Sequence, residues 1–363
     1  MSNEPRYTLG VMTGDGIGPE IVPAVVRVGD AALATAGAAA IRWRELPLGL
    51  AAIDSHGEPV PASTLDALAE TDGWVLGPHD SASYPEPFSS QLNPSGTIRK
   101  HFDLFANIRP AKAIAGQASL APGIDLVIYR ENTEGFYADR STYRGSGEFM
   151  PTPDVAIAMG IITRAGCERI ARAAFTAAAR RRRRLTIVHK ANVLRLTTGM
   201  FRDICLEVGR DFPEVSVDQY HIDAFTVHLL RHAGDLDVVV TENMFGDILS
   251  DLAGEVAGSL GVAPSLNVSA ERAMAQASHG SAPDIAGQDR ANPIAMVLSV
   301  AMLVDWLAGR HRDPALASAA RLIEQGVDDT VAAGISTPDL GGSATCSGFA
   351  DEVVARISGR RSG

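Results

Sequence analysis

Residues 241–251 read TENMFGDILSD, and this stretch decides the class of fold because it joins a buried strand to a helix. Ahead of it, Asp237 leads into Val238, Val239 and Val240, a continuous β-branched run of the kind found in strands covered on both faces. Within and behind it, Ile248, Leu249, Leu252 and Val256 recur at helical spacing and are expected to form the buried side of a helix. Asp247 and Asp251 then share one face. Residues four apart on a helix are surface neighbours, with Cβ atoms roughly 5–6 Å apart, so the two carboxylates repel unless something positive lies between them. Two readings are open for this segment. A hard divalent cation, Mg²⁺ or Mn²⁺, takes oxygen ligands of this kind; alternatively, both aspartates merely favour the positive N-terminal end of the helix dipole.

Outward from this segment, strand-like runs alternate with helix-like ones along most of the chain. Strands are expected at 8–12, 126–129, 185–188, 215–220 and 237–241, which predicts an α/β protein with a largely parallel sheet. The first strand runs into GDGIGPE, with glycines at 14, 16 and 18 and a helix opening at Pro19. This is not the dinucleotide fingerprint G-x-G-x-x-G, because the last glycine comes one residue early and proline follows it. The glycines are read as permitting a tight strand-to-helix turn, with close backbone approach to a ligand as a second role.

The 363 residues are 46% hydrophobic and 21% charged, with mean hydropathy of +0.06, as expected of a globular protein large enough for two cores. No uninterrupted apolar run of membrane length is apparent, and MSNEPRYTLGVM lacks the basic and apolar regions of a signal peptide, so a cytoplasmic location is expected, with no membrane partner. A net charge of −11 argues against a nucleic-acid partner. The one basic run, 180–184, follows an amphipathic pattern and is expected at a solvated helix end. Cys167, Cys205 and Cys346 are odd in number and far apart, so neither disulfides nor a zinc cluster is expected.

Arg99 in TIRKHFD, Arg109 in FANIRP and Arg130 in IYRENTEGFY each fall near a strand or helix end. Guanidinium groups grip carboxylates through paired hydrogen bonds, so several together suit a di- or tricarboxylate that the protein's overall charge repels. Their convergence has to come from the fold. Lys190 in VHKAN and Tyr137 in EGFY are candidate proton carriers, the lysine standing just past a strand end where α/β proteins gather functional groups.

The motifs GDGIGPEI, DLFANIRP, RENTEGFY, VHKANVLR, NMFGDILSDL, HGSAPDIAGQDRANP and TPDLGGSAT occur in order over nearly the whole chain. In these the sequence resembles the β-decarboxylating dehydrogenases, which act on isocitrate, homoisocitrate, 3-isopropylmalate and tartrate or D-malate. The resemblance implies two domains sharing a continuous mixed sheet and a cofactor site unlike the Rossmann one. It implies a large cofactor-binding domain from 1–103 and 256–363, and a small domain, 104–255, for dimerisation, metal and substrate. It further implies a homodimer with shared active sites. By motif, Arg99, Arg109 and Arg130 correspond to the substrate-carboxylate clamp, Tyr137 to the acid that protonates the product, and Lys190 to the partner subunit's proton relay. Asp223, also from the partner, corresponds to a third metal aspartate beside Asp247 and Asp251, while Asn192 and Asn243 flank the site. All these positions hold competent residues, which disfavours the alternative of a regulatory subunit.

Residues 279–293 resemble the family's cofactor loop. Asp284 and Ile285 stand where NAD-dependent members have an acidic residue and an aliphatic one, and a carboxylate there accepts both ribose hydroxyls but repels a 2′-phosphate, so NAD is expected. His279 and Asn292 are expected on the adenine side, with Gly280, Ser281 and Ala282 admitting close backbone approach. Two departures stand out: Gln276 replaces the usual glutamate near the nicotinamide, and Thr13 replaces the proline before GDG. Substrate choice in this family turns on residues before the first arginine, here 89–98, SSQLNPSGTI. Leu92, Ser95 and Gly96 replace the glutamate and leucines that enclose an isopropyl group, whereas Asn93 and Ser95 exchange the serine and asparagine of isocitrate enzymes. The expectation is NAD- and metal-dependent oxidative decarboxylation of a 3-substituted (2R)-malate, isocitrate or homoisocitrate first. A specialised 3-substituted malate, such as a phosphonate, ranks second, and isopropylmalate or tartrate/D-malate third.

Overall fold

The computed structural model describes residues 5–360. Its strands are β1 (Tyr7–Met12), β2 (Ile41–Glu45), β3 (Gly73–Leu76), β4 (Ala106–Lys112), β5 (Asp125–Glu131), β6 (Glu148–Thr152), β7 (Val155–Ala158), β8 (Arg184–His189), β9 (Ser216–His221), β10 (Val238–Thr241), β11 (Leu266–Val268) and β12 (Ala273–Ala275). Its α-helices are α1 (Gly18–Ala36), α2 (Leu50–His56), α3 (Ala62–Ala69), α4 (Pro94–His101), α5 (Arg164–Arg180), α6 (Thr197–Gly209), α7 (Ile222–His232), α8 (Asn243–Ala257), α9 (Ile294–His311), α10 (Pro314–Ala332) and α11 (Cys346–Gly359).

Ten of these strands form one sheet in the order β2-β1-β3-β12-β11-β4-β5-β10-β8-β9, and β6 and β7 pair as a separate exposed hairpin. The large sheet is mixed, as expected. β11 runs antiparallel to both β12 and β4, and β4 antiparallel to β5, while the other neighbours are parallel. Strands from the two ends of the chain therefore meet those from its middle at the β11–β4 pair, where Asn267 lies opposite Asn107. β10 lies between β5 and β8 with all four residues buried, which accounts for its unbroken valines.

On one side α1, α9, α10 and α11 pack together, and α5 and α6 cover β8, while α8 crosses β4, β5 and β10. The largest apolar cluster runs through both halves of the sheet; a second is confined to 111–257, and a third draws on residues 12–104 and Met274. Helix α9 is long and apolar enough to cross a membrane, its 18 residues averaging a hydropathy of 1.4, but it is not the uninterrupted apolar run that the sequence is expected to lack. Asp305 interrupts it, and its buried face packs against α1, α10 and β12, which makes it a core helix. Ile248 is a correction, being 54% exposed. The buried stripe of α8 is Phe245, Leu249, Ala253 and Val256, and Ile248 lies on the flank that carries Asp251.

The arginine run is also more than a solvated helix end. Arg181 pairs with both Asp125 and the fully buried Asp237, at 2.9 and 2.7 Å, which anchors the end of α5 to the starts of β5 and β10. The three cysteines are buried and unpaired, and burial pushes the thiols of Cys167 and Cys346 up to about 12, so they are inert core groups.

Candidate active site

The two aspartates on α8 are positioned by what precedes them. Glu242 caps the helix, its carboxylate accepting from the amides of Met244 and Phe245 at 3.1 and 3.2 Å. Asp247 and Asp251 then project, one turn apart, towards the ends of β4 and β5. Arg130 comes from β5 in the row that also holds Asn107 and Thr241. It is 2% exposed, donates to Asn243 Oδ1 through Nε and Nη2 at 2.9 and 2.7 Å, and pairs closely with Asp247 through Nη1. Gly246 makes room for it, since a Cβ there would stand 2.5 Å from Arg130 Cγ.

Arg109, two residues along β4 from Asn107, donates from Nε to that amide and from Nη1 to Ser250 Oγ at 2.7 Å and Asp251 at 3.3 Å, with Asp247 3.6 Å from Nη2. Tyr137 donates its hydroxyl to the other oxygen of Asp247 at 3.0 Å. These contacts separate the two acids electrostatically. Burial raises both carboxyls, but at Asp247 the charges of Arg130 and Arg109 outweigh it and the net shift is downward, whereas Asp251 stays above its ordinary value. The Tyr137 hydroxyl is pushed up by burial and by Asp247, so it holds its proton.

Arg99, in the last turn of α4, completes the cluster. It is 6% exposed and donates to Asn132 Oδ1 at 3.2 Å and Gln276 Oε1 at 2.8 Å. Burial and neighbouring arginines lower the proton affinity of Arg99 and Arg109, the latter to about 10. The departure at Gln276 thus has a structural consequence, since a neutral amide meets Arg99 where a carboxylate would neutralise it. Asn93 is the cap of α4, its Oδ1 accepting from Gly96 at 2.8 Å, and Ser95 is buried beside it.

Lys190, Asp223 and Asn192 lie elsewhere. Lys190 Nζ and Asp223 Oδ1 form an ion pair at 2.7 Å, with the aspartate largely exposed, and Asn192 is exposed in the loop after β8. Among the described residues, no group of three or more side chains of metal-binding type occurs within one chain, so Asp223 does not join the α8 pair there. The pair itself suits a divalent cation, being two carboxylates with side chains 38% and 52% exposed beside a bed of positive charge that also suits an acid ligand.

The loop 279–293 rests on the N-terminal glycine turn. The Ser281 carbonyl accepts from the Ile17 amide at 2.9 Å, and a Cβ at Gly16 would lie 2.1 Å from that same oxygen. The close approach read from these glycines is therefore made to the chain itself. Gly280 is exposed in open space, Ala282 has a left-handed φ of 40°, and Asp284 is exposed beside half-buried Ile285. Asn292 donates to Asp339 at 2.9 Å. His279 Nδ1 contacts the Gly280 carbonyl at 3.0 Å, while its buried Nε2 has no partner, an orphaned polar atom that fits a heterocyclic ligand such as adenine.

Several site residues carry no signal in the sequence. Asn107, Asn132 and Asn267 form a buried amide network with Gln276 and Ser265 beneath the arginines, and only their polarity within or beside apolar strands hints at it. Arg140, three residues after Tyr137, has its guanidinium 4.8 Å from the Tyr137 ring centroid. Asp15 accepts from Leu50 N, Asp80 N and the Tyr84 hydroxyl, and so ties three loops beside the glycine turn.

Residues 8–353 match the family model described as isocitrate/isopropylmalate dehydrogenase. The chain is 40% identical over 353 residues to the isocitrate/homoisocitrate dehydrogenase of Thermus thermophilus, covering 97% of this chain and 98% of that one. It is 38% identical over 355 residues to the 3-isopropylmalate dehydrogenase of Archaeoglobus fulgidus, covering 96% and 98%. The solved isocitrate dehydrogenase from Methylococcus capsulatus superposes with a TM-score of 0.86 at 35% identity, covering 97% of this chain and 99% of that one. A clustered set of arginines facing two carboxylates, on a fold shared over nearly the full length with these enzymes, makes this chain a member of the isocitrate/isopropylmalate dehydrogenase family, an oxidatively decarboxylating hydroxy-acid dehydrogenase.

Proposed function

We propose that the protein carries out NAD- and divalent-metal-dependent oxidative decarboxylation of a 3-substituted (2R)-malate, with isocitrate or homoisocitrate as the leading substrates. The observation that carries this reading is the convergence of Arg99, Arg109, Arg130 and Tyr137 on one site, with Arg109, Arg130 and Tyr137 reaching the Asp247–Asp251 pair directly. The three arginines hold the substrate's carboxylates, and Asn93 and Ser95 line the side of the pocket that α4 supplies. Tyr137, kept protonated by its surroundings, delivers a proton to C3 after CO₂ leaves. Asp247 and Asp251 of one subunit, with Asp223 of another, hold Mg²⁺ or Mn²⁺, and Lys190 relays the hydroxyl proton in the site to which that Asp223 belongs. When bound, the metal supplies Lewis acidity at the alcohol and at the charge released on decarboxylation, and NAD⁺ supplies the hydride acceptor.

His279 and Asn292 form the adenine side of the cofactor seat, Gly280, Ser281 and Ala282 admit close backbone approach, and exposed Asp284 with Ile285 selects the unphosphorylated ribose. The orphaned His279 nitrogen supports this assignment. Two domains, 1–103 with 256–363 and 104–255, are supported by the two apolar clusters confined almost wholly to one or the other. A homodimer formed through 104–255 is supported by exposed apolar side chains on that segment, among them Val193, Leu196, Val227, Leu230 and Ile248.

The test offers purified protein NAD⁺ or NADP⁺, with Mn²⁺, and a panel of isocitrate, homoisocitrate, 3-isopropylmalate, D-malate and tartrate. Reduction of NAD⁺ with isocitrate or homoisocitrate, abolished by a chelator and restored by Mn²⁺, is the expected result. Preference for NADP⁺, chelator resistance, or turnover of isopropylmalate ahead of both tricarboxylates contradicts it.

A further inference from the structure

Four guanidinium groups surround the acid site, and they are not equivalent. Arg109 and Arg130 are matched to Asp247 and Asp251. Arg99 and Arg140 pair with no carboxylate among the described residues, and their partners are the neutral groups Asn132 and Gln276. Both converge on Asn132, Arg99 through the side-chain oxygen at 3.2 Å and Arg140 through the backbone carbonyl at 3.3 Å. In each, the Nε is buried and has no hydrogen-bond partner. Leaving two buried guanidinium donors unmet is costly unless a ligand satisfies them. Burial first, and then repulsion by neighbouring arginines, lowers the proton affinity of both, the repulsion coming from Arg140, Arg130 and Arg109 at Arg99 and from Arg130 at Arg140.

We propose that Arg140, acting with Arg99, forms a distinct anion subsite that reads the substituent on C3 of the substrate and requires it to be negatively charged. This rests on the reading of the site given above. Its position follows from Tyr137, whose ring centroid is 4.8 Å from the Arg140 guanidinium and 5.7 Å from that of Arg130. The hydroxyl of that ring serves C3, so the arginine stacked on it stands beside whatever else C3 carries. An isopropyl group there would leave two desolvated cations facing hydrocarbon, whereas a carboxylate or other anion supplies charge-assisted acceptors. Gln276 belongs to the same device, since an amide orients Arg99 without consuming its charge.

The experiment compares the intact enzyme with Arg140→Met and Arg140→Lys, using NAD⁺ and Mn²⁺, and reads the ratio of kcat/KM for the better of isocitrate and homoisocitrate to that for D-malate. D-malate has no C3 substituent. Loss of a charge-assisted contact corresponds to about 10- to 100-fold, so this ratio should fall by at least about tenfold in Arg140→Met and recover in part in Arg140→Lys. An equal fall with both acids overturns the proposal, because it makes Arg140 only a support for the Tyr137 ring. A binding arm needs no turnover: calorimetry with propane-1,2,3-tricarboxylate and with succinate, in Mn²⁺ buffer. The wild type should bind the tricarboxylate at least about tenfold more tightly, and Arg140→Met should erase that preference. That outcome upholds the subsite even if every acid of the panel fails as a substrate. Equal binding of the two acids by the wild type overturns it even in an active enzyme.

Discussion

Gly246 and Glu242 lie within one turn at the start of α8, and each serves the site without touching a ligand. A methyl at 246 would meet the Cβ and Cγ of Arg130 at 2.7 and 2.5 Å, atoms too near the backbone to swing away. Gly246→Ala should therefore displace the guanidinium and reduce kcat/KM by at least about tenfold, chiefly through KM, despite alanine's better helix propensity of about 1 kcal/mol. Steady-state kinetics beside a thermal melt separates that from simple unfolding. Glu242 is 2% exposed, and burial pushes its carboxyl from 4.5 up to about 7. The native state binds this proton more tightly than the unfolded chain does. Its contribution is thus full below about pH 4.5 and is lost as pH rises through 7, amounting to on the order of 3 kcal/mol. Glu242→Gln should flatten the dependence of stability on pH between 5 and 8, as read from denaturant midpoints. An unchanged slope would contradict this account.

Among the elements, those with a strong pattern were legible from the sequence. The valines of β10, the glycine turn into α1 and the amphipathic run of α5 all announce themselves, because burial on two faces, positive φ and helical period each demand particular side chains. Ile248 is exposed although its spacing fits the buried side, because helical spacing alone does not say which flank of a half-buried helix meets the sheet. The arginine clamp came from motifs, but the amide network beneath it did not. Asn107 and Asn267 face each other across β4 and β11, a pairing between residues 160 apart that no local spacing encodes. Arg140 carries no local signal for a similar reason, since its proximity to Arg99 and Tyr137 is made by the chain's return after β5. Helix α9 offers a check on element energetics: Gly309 is exposed, helical and has open space where a Cβ would go. Gly309→Ala should raise stability by about 0.5–1 kcal/mol with kinetics unchanged, measured by melting and assay together.

At the level of the molecule, no third metal-type side chain joins Asp247 and Asp251 among the described residues, and the ion pair of half-buried Lys190 with exposed Asp223 lies apart from them. If that pair completes a neighbour's site, Asp223→Asn and Asp247→Asn should each abolish activity alone. Mixed dimers of the two should regain one working site, roughly half the wild-type rate per dimer, on refolding or co-expression. Absence of recovery in demonstrated mixed dimers would confine each site to a single chain. The contact between Ile17 and Ser281 carries a further implication. The shelf on which residues 279–293 rest is laid down by the first strand-to-helix turn, some 260 residues earlier. Anyone seeking to switch the coenzyme by transplanting that loop from a phosphate-accepting relative must bring residues 14–18 along with it, or the graft will lack its footing.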